Sequence, residues 1–116
     1  MKKYILVASL IFALSACNST STTPLYSWNN YENDSYHYYK NQTPKSVESL
    51  MKTYEEMIKT PRGSRKVVAP GIYAEYGYLL IQNGKVDEGI TMFKNEKQLY
   101  PESAAFMDRL INKFQK

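Results

Sequence analysis

The feature that most constrains this chain is the position of its only cysteine, Cys17, at the end of an apolar run. Two lysines come first, residues 5–14 are apolar except for one serine, and small residues follow. This order is typical of a secretory signal peptide. As a helix, residues 5–16 would span only about 18 Å, against about 30 Å of bilayer hydrocarbon. We therefore expect residues 1–16 to be a cleaved signal peptide, which leaves 100 of the 116 residues to fold without a disulfide.

The four residues Leu14-Ser15-Ala16-Cys17 resemble the lipobox of bacterial lipoproteins. The resemblance implies that the Cys17 thiol receives diacylglycerol, that the chain is cut before it, and that its new amine is acylated. Anchoring by more than one acyl chain is stable. A secreted protein with a free thiol is the alternative. In lipoproteins an aspartate after the cysteine favours the inner membrane, so Asn18 implies an outer-membrane anchor and a domain that faces the periplasm.

The charge of the mature chain is low. Loss of Lys2 and Lys3 with the signal peptide lowers the formal charge from +4 to +2. The one basic cluster, Arg62, Arg65 and Lys66, is short, and we predict that it is a solvated loop. Nucleic-acid binding needs a clustered basic face, so no nucleic-acid partner is expected.

The sequence offers few groups for catalysis. His37 is the only histidine, and Cys17 is consumed by lipid, so zinc sites and histidine-dependent triads have almost no residues to form them. The adjacent carboxylates of Glu55-Glu56 and of Asp87-Glu88 would diverge by about 100° on a helix. We therefore predict no enzyme activity, no metal and no cofactor.

The mature chain divides into three parts by composition. Residues 17–24 form the lipidated cysteine and a small, polar, flexible tether. Residues 25–43 are rich in tyrosine, but asparagine, aspartate and serine between them are typical of turns, so we predict an irregular aromatic-rich segment before the helices. Within it, a helical turn or a short strand over residues 35–40 stays open. Residues 44–116 show the spacing of amphipathic helices.

Four helices are predicted in this last part. Thr43-Pro44 is a good helix start, and apolar residues recur at spacings of three and four up to Lys59. Breaks at glycine and proline then separate three further helices, over residues 70–83, 86–99 and 102–114. The predicted fold class is therefore all-α, a short antiparallel helical array.

The stretch from Pro70 to Ser103 resembles one tetratricopeptide repeat, a unit of two antiparallel helices. The likeness is carried by seven positions, which are Tyr73, Tyr76, Gly77, Leu80, Gly89, Phe93 and Pro101. Glu96 departs from the pattern, because the repeat prefers alanine there. One repeat cannot bury its apolar face alone, so the helices before and after it should pack against it.

The whole chain also resembles a family of short bacterial lipoproteins that is catalogued as a domain of unknown function. A lipobox, a polar tether, the segment Leu25-Tyr26-Ser27-Trp28-Asn29-Asn30-Tyr31 and repeat-like helices carry the likeness. Members tend to be encoded beside a lipoprotein similar to the curli secretion channel. The resemblance thus implies an assembly of envelope lipoproteins as partners, and no known activity.

Two functions remain open. The first is a protein-interaction adaptor, because stacked helical pairs form a groove and tyrosines are good interface anchors. The possible partner-binding residues are Tyr26, Trp28, Tyr31, Tyr73 and Tyr76. The second is glycan or peptidoglycan binding by an aromatic platform made of Tyr26, Trp28, Tyr31, Tyr36 and Tyr38. Exposed coplanar rings would favour the glycan, and buried rings would favour packing.

Overall fold

The computed structural model describes residues 22–116. The predicted signal peptide, the lipidated Cys17 and the tether as far as residue 21 lie outside the described residues. Residues 22–116 contain five α-helices and one short 3₁₀ helix, and no strand, so the predicted all-α class is confirmed. The helices are α1 (Tyr31–Asn41), α2 (Pro44–Lys59), α3 (Ile72–Gln82), α4 (Val86–Leu99) and α5 (Ala104–Phe114), with the 3₁₀ helix at Pro101–Ser103. None of these helices is long and apolar enough to cross a membrane.

Helix α2 has the start and end that the sequence predicts. The Thr43 hydroxyl accepts a hydrogen bond from the Ser46 N–H at 3.2 Å, and Pro44 occupies the first helical position, where no N–H is needed. The helix ends at Lys59, two residues before Pro61. Because these signals are local, they identify the bounds of α2 without any knowledge of its neighbours.

Helices α3 and α4 form a close antiparallel hairpin. They are joined by three residues, and their backbones approach at Gly77 and Gly89, where a Cβ on Gly89 would lie 2.5 Å from the Gly77 carbonyl oxygen. Phe93 is fully buried beside this crossing. Only glycine at both positions permits this separation, because any larger side chain would force the helices apart.

The structure differs from the sequence-based expectation at α1. Residues 22–30 contain no helix or strand, as expected of an irregular segment, but Tyr31–Asn41 is helical. Asp34 is buried within it, where its carboxylate accepts hydrogen bonds from Asn30 at 2.9 Å and from the Thr53 hydroxyl at 2.5 Å. Tertiary contacts with α2 therefore override the local turn preference of these polar residues.

The helices pack in chain order, each against the next. One buried cluster joins α2, the loop after it and α3, and includes Leu50, Met57 and Ile72. A second joins α4 and α5 through Ile90, Phe93, Met107 and Ile111. Side-chain contacts also link α1 to α3 at a constant offset of 44 residues, which shows that these two helices run in the same direction.

Candidate partner-binding surface

A carboxylate on α3 joins α1 and α2. The hydroxyls of Tyr31 and Tyr54 both donate to Glu75 Oε2, at 2.7 Å and 2.9 Å. Tyr54 is buried, Tyr31 is half-buried, and Glu75 itself lies at the surface. These two hydrogen bonds fix the side chain of Glu75 and hold the Tyr31 ring against α3.

A second hydrogen bond joins α1 to α3, seven residues further along each helix. The Tyr38 hydroxyl donates to Gln82 Oε1 at 3.2 Å. Glu75 and Gln82 are seven residues apart, so they lie on one side of α3, and Tyr78 falls within about 60° of both. Tyr78 is 48% exposed. On α1, Tyr39 is next to Tyr38, 69% exposed, with a ring centroid 5.1 Å from that of Tyr38.

These contacts join α1 to one side of α3, and Tyr78 lies on that side of α3, where its ring also meets Phe114 of α5 with centroids 6.3 Å apart. We call this set of residues the tyrosine face, and it consists of Tyr31, Tyr38, Tyr39, Glu75, Tyr78 and Gln82. Burial and the Glu75 carboxylate both raise the pKa of Tyr31 above its usual value. The same two causes, burial first, raise the pKa of Tyr39. Both hydroxyls are therefore neutral at physiological pH, and the Tyr31 hydroxyl donates to Glu75.

The tyrosine face is connected to the core by a row of aromatic rings. Trp28 contacts Tyr31, Tyr31 contacts Tyr54 and Tyr54 contacts Tyr76, with centroid separations of 5.6, 5.9 and 5.5 Å. At the inner end of the row, the Tyr76 hydroxyl donates to Glu55 at 2.8 Å. A ring held on both sides loses little freedom when another molecule binds, so the Tyr31 side chain is pre-organised.

The structure separates the five residues that the sequence suggests for partner binding. Tyr31 is part of the tyrosine face, and Trp28 is exposed beside it. Tyr26 is half-buried, with the Arg65 guanidinium 5.9 Å from its ring centroid. Tyr76 is a core residue with 7% exposure. Tyr73 is half-buried, about 160° from Glu75 around α3, and lines a hollow of about 480 Å³ with Ile58, Val68 and Leu99.

The sequence predicts one residue of the tyrosine face, Tyr31, as partner-binding. Tyr38 belongs to the glycan hypothesis, and no binding role is predicted for the other four, which are Tyr39, Glu75, Tyr78 and Gln82. A helical spacing was present in each segment, because Tyr31 and Tyr38 are seven residues apart and so are Glu75 and Gln82. The missing information was that α1 is a helix and that it lies alongside α3.

The aromatic residues proposed as a glycan platform do not stack in parallel. The Trp28 and Tyr31 rings are inclined by 47°, and Tyr36 meets the ring of His37 at 71°. Trp28 and Tyr36 are nevertheless exposed, and Tyr36 lines a hollow of about 510 Å³ together with Asn29, Asn30, Glu32 and Asn33. This hollow opens away from Tyr31 and Tyr38, because Tyr36 is about 140° and about 160° from them around α1, and it borders Tyr39, which is about 60° from Tyr36.

The tyrosine face offers groups that can form hydrogen bonds and aromatic contacts. It presents phenol hydroxyls, aromatic rings, one carboxylate that already accepts two hydrogen bonds, and one amide. Among residues 22–116, no group of three histidine, cysteine, aspartate or glutamate side chains is arranged to hold a metal ion.

Comparison with known families gives two matches. The family model described as "Domain of unknown function (DUF4810)" matches residues 25–110, which include every described helix up to most of α5. The pattern of a prokaryotic membrane lipoprotein lipid attachment site matches residues 1–18, and Cys17 is the only cysteine within it. No curated protein and no solved structure matches the chain.

Proposed function

Because the chain belongs to the DUF4810 family of domains of unknown function and carries a lipid attachment site that makes it a membrane-anchored lipoprotein, we propose that it is a non-catalytic adaptor that binds other envelope proteins. The tyrosine face is the observation that carries this proposal. It combines exposed rings at Tyr39 and Tyr78 with rings held in place at Tyr31 and Tyr38. Tyrosine is enriched among the residues that dominate binding energy at protein interfaces.

The arrangement of the helices supports a groove at this face. Helices α1 and α2 form one hairpin, α3 and α4 form the next, and α5 packs on α4. In stacked helical pairs, the corresponding helices of successive pairs line a shared surface used for binding. The tyrosine face lies on the first helix of each hairpin, α1 and α3, which is consistent with a tetratricopeptide-like array.

The proposed partners are other lipoproteins of the envelope, including one similar to the curli secretion channel. Asn18 after the lipidated cysteine favours an outer-membrane anchor with the helical domain in the periplasm. An anchored adaptor benefits from this geometry, because confinement of two proteins to one membrane surface raises their effective concentration. A low intrinsic affinity at the tyrosine face would then suffice to hold an assembly together.

The test is affinity purification of the lipidated protein from detergent-solubilised envelope, followed by mass spectrometry. The unanchored variant Cys17→Ser serves as the control for membrane placement. The variant Tyr39→Ser/Tyr78→Ser removes the two most exposed rings of the tyrosine face. His37→Ser removes an exposed ring that lies about 160° from Tyr39 around α1, and it is the matched control. Tyr36→Ser tests the hollow that Tyr36 lines with Asn29, Asn30 and Asn33.

The proposal predicts stoichiometric recovery of specific lipoproteins with the wild-type and His37→Ser proteins, and their loss with Tyr39→Ser/Tyr78→Ser. Recovery that is unchanged in the double variant would overturn the assignment to the tyrosine face. Recovery of peptidoglycan or polysaccharide in place of protein, with loss in Tyr36→Ser, would replace the adaptor with a glycan-binding lipoprotein that uses the asparagine-lined hollow.

A further inference from the structure

The start of the described chain is fixed to the loop after α2. The N–H groups of Ser64 and Arg65 donate to the carbonyl oxygens of Pro24 and Leu25, at 2.9 and 3.1 Å, and the Arg62 N–H donates to the Ser27 hydroxyl at 3.0 Å. Gly63 is buried at this contact, and a Cβ there would overlap the Leu25 carbonyl oxygen. The place where the chain enters the domain is therefore set by loop residues 61–66.

That loop carries concentrated positive charge. Residues 57–74 contain four cations and no aspartate or glutamate. Three of the cations, Arg62, Arg65 and Lys66, belong to the loop and are exposed. None of the three forms an ion pair with a carboxylate of residues 22–116 within 4.0 Å. The ion pair in this part of the chain joins two other residues, Lys97 and Asp108. The positive charge of the loop is thus left uncompensated at the surface.

Two large apolar side chains are exposed at the same edge. Leu25 is 57% exposed, although its carbonyl oxygen is hydrogen-bonded to Arg65, and Trp28 is 47% exposed one residue after Ser27. Tryptophan favours the headgroup level of a bilayer, and cations beside apolar side chains are typical of surfaces that lie in the membrane interface. We call these five residues, Leu25, Trp28, Arg62, Arg65 and Lys66, the basic lip.

The lipid anchor keeps the basic lip close to the membrane. Seven residue steps separate Cys17 from Pro24, and a fully extended chain of that length spans at most about 25 Å. The lip is the part of the domain to which this short connection leads. A connection of this length lets the cations come within a Debye length of an anionic surface, about 8 Å at physiological salt, where they are attracted to it.

We infer that the basic lip is a docking surface for the anionic headgroups of phospholipids. Arg62, Arg65 and Lys66 bind the phosphate-bearing surface, while Leu25 and Trp28 enter the interface between headgroups and acyl chains. The domain is then held on the membrane by its lip as well as by its anchor. This inference rests on the lipid anchor and on the residues of the basic lip, and it is independent of any protein partner.

The single tryptophan reports on this docking directly. The lipidated mature protein is reconstituted into vesicles of phosphatidylcholine alone or mixed with phosphatidylglycerol, and quenching of Trp28 by brominated phosphatidylcholine is measured. The test variant is Arg62→Gln/Arg65→Gln/Lys66→Gln. The matched control, Lys45→Gln/Lys94→Gln/Lys113→Gln, removes the same charge from exposed positions elsewhere.

Quenching and a blue shift of Trp28 emission are expected with the wild-type and control proteins in the mixed vesicles only, and not with the test variant. Equal quenching in pure phosphatidylcholine, equal quenching of the test variant, or no quenching of the wild type would each overturn the inference.

A second arm removes the anchor, so that headgroup binding is measured alone. The mature protein with Cys17→Ser is sedimented with the two kinds of vesicle. One cation near an anionic surface contributes about fivefold to partitioning, so loss of three should weaken binding to the mixed vesicles on the order of 100-fold. A test variant that binds as tightly as the control would contradict the inference, and circular dichroism verifies that both remain helical.

Discussion

The Glu96 carboxylate on α4 accepts a hydrogen bond from the backbone N–H of Gly71 at 2.6 Å, and it thereby caps the first turn of α3. Gly71 precedes that helix with φ +95° and has no side chain with which to cap it. A neighbouring helix therefore supplies the acceptor that the sequence at the helix start lacks. Glu96 is only 2% exposed, and its Oε2 atom has no hydrogen-bond partner among residues 22–116.

Glu96→Gln should reduce the pH dependence of stability. Burial raises the pKa of Glu96 above its ordinary value of 4.5, in spite of the opposing effect of the Gly71 N–H. As the pH rises past 4.5, the unfolded state loses this proton first, so the free energy of unfolding falls until the folded-state pKa is passed. Urea denaturation from pH 4 upward should show this fall in the wild type and a smaller one in Glu96→Gln. Parallel curves would contradict the assignment.

Glu96→Ala should be less stable than Glu96→Gln, although alanine is the residue that tetratricopeptide repeats prefer at this position. Alanine leaves the Gly71 N–H without an acceptor, whereas the glutamine amide oxygen can still accept it. The cost of an unpaired buried donor is about 1–3 kcal/mol. The free energies of unfolding of the two variants, measured at neutral pH, give the comparison. Equal stability would mean that the cap contributes nothing.

Gly89→Ala should destabilise the domain by about 1–3 kcal/mol or more, because the added methyl group overpacks the crossing of α3 and α4. Its Cβ would lie 2.5 Å from the Gly77 carbonyl oxygen and equally close to the Ile81 side chain. Lys94→Ala, at an exposed position on the same helix, should change the stability by less than about 0.5 kcal/mol. Thermal or urea unfolding measures both, and a Gly89→Ala protein as stable as the Lys94→Ala control would refute the close approach.

Tyr54→Phe should cost about 1 kcal/mol, because it removes one of the two hydroxyls that donate to Glu75 Oε2. In the background of Glu75→Ala, the same change should cost clearly less, because the acceptor is already absent. A double-mutant cycle by urea denaturation measures this coupling energy. Tyr36→Phe, whose hydroxyl is at the surface, is the control. A coupling energy of zero would show that Tyr54 and Glu75 do not interact in solution.

The sequence predicted the helices whose ends depend on local signals. Helices α2 and α4 begin and end at the predicted residues, because Thr43-Pro44, the turn at Gly84 and the break at Pro101 act through their own backbone geometry. Helix α3 was predicted slightly too long, since Pro70 and Gly71 lie before its first turn. The last helix was predicted to begin at Glu102, but residues 101–103 form a 3₁₀ helix and α5 begins at Ala104.

What the sequence did not predict depends on contacts between distant residues. Asp34 favours a turn by itself, but in the structure it is buried against Thr53 of α2, and Tyr31 and Tyr38 bind α3. The tyrosine face requires α1 and α3 to lie alongside each other, and Tyr31 and Glu75 are 44 residues apart. Helical periodicity identifies which residues share a side of one helix, but it does not identify which helix is adjacent.

The most direct test of the adaptor function is photo-crosslinking in living cells from single positions of the tyrosine face. A photoreactive p-benzoylphenylalanine replaces Tyr39 or Tyr78, and in a matched strain it replaces His37, which is exposed about 160° from Tyr39 around α1. If the tyrosine face binds a partner, the first two positions give crosslinks to the same envelope lipoprotein and the third gives none. Crosslinks from His37 alone, or none from Tyr39 and Tyr78, would contradict the adaptor function.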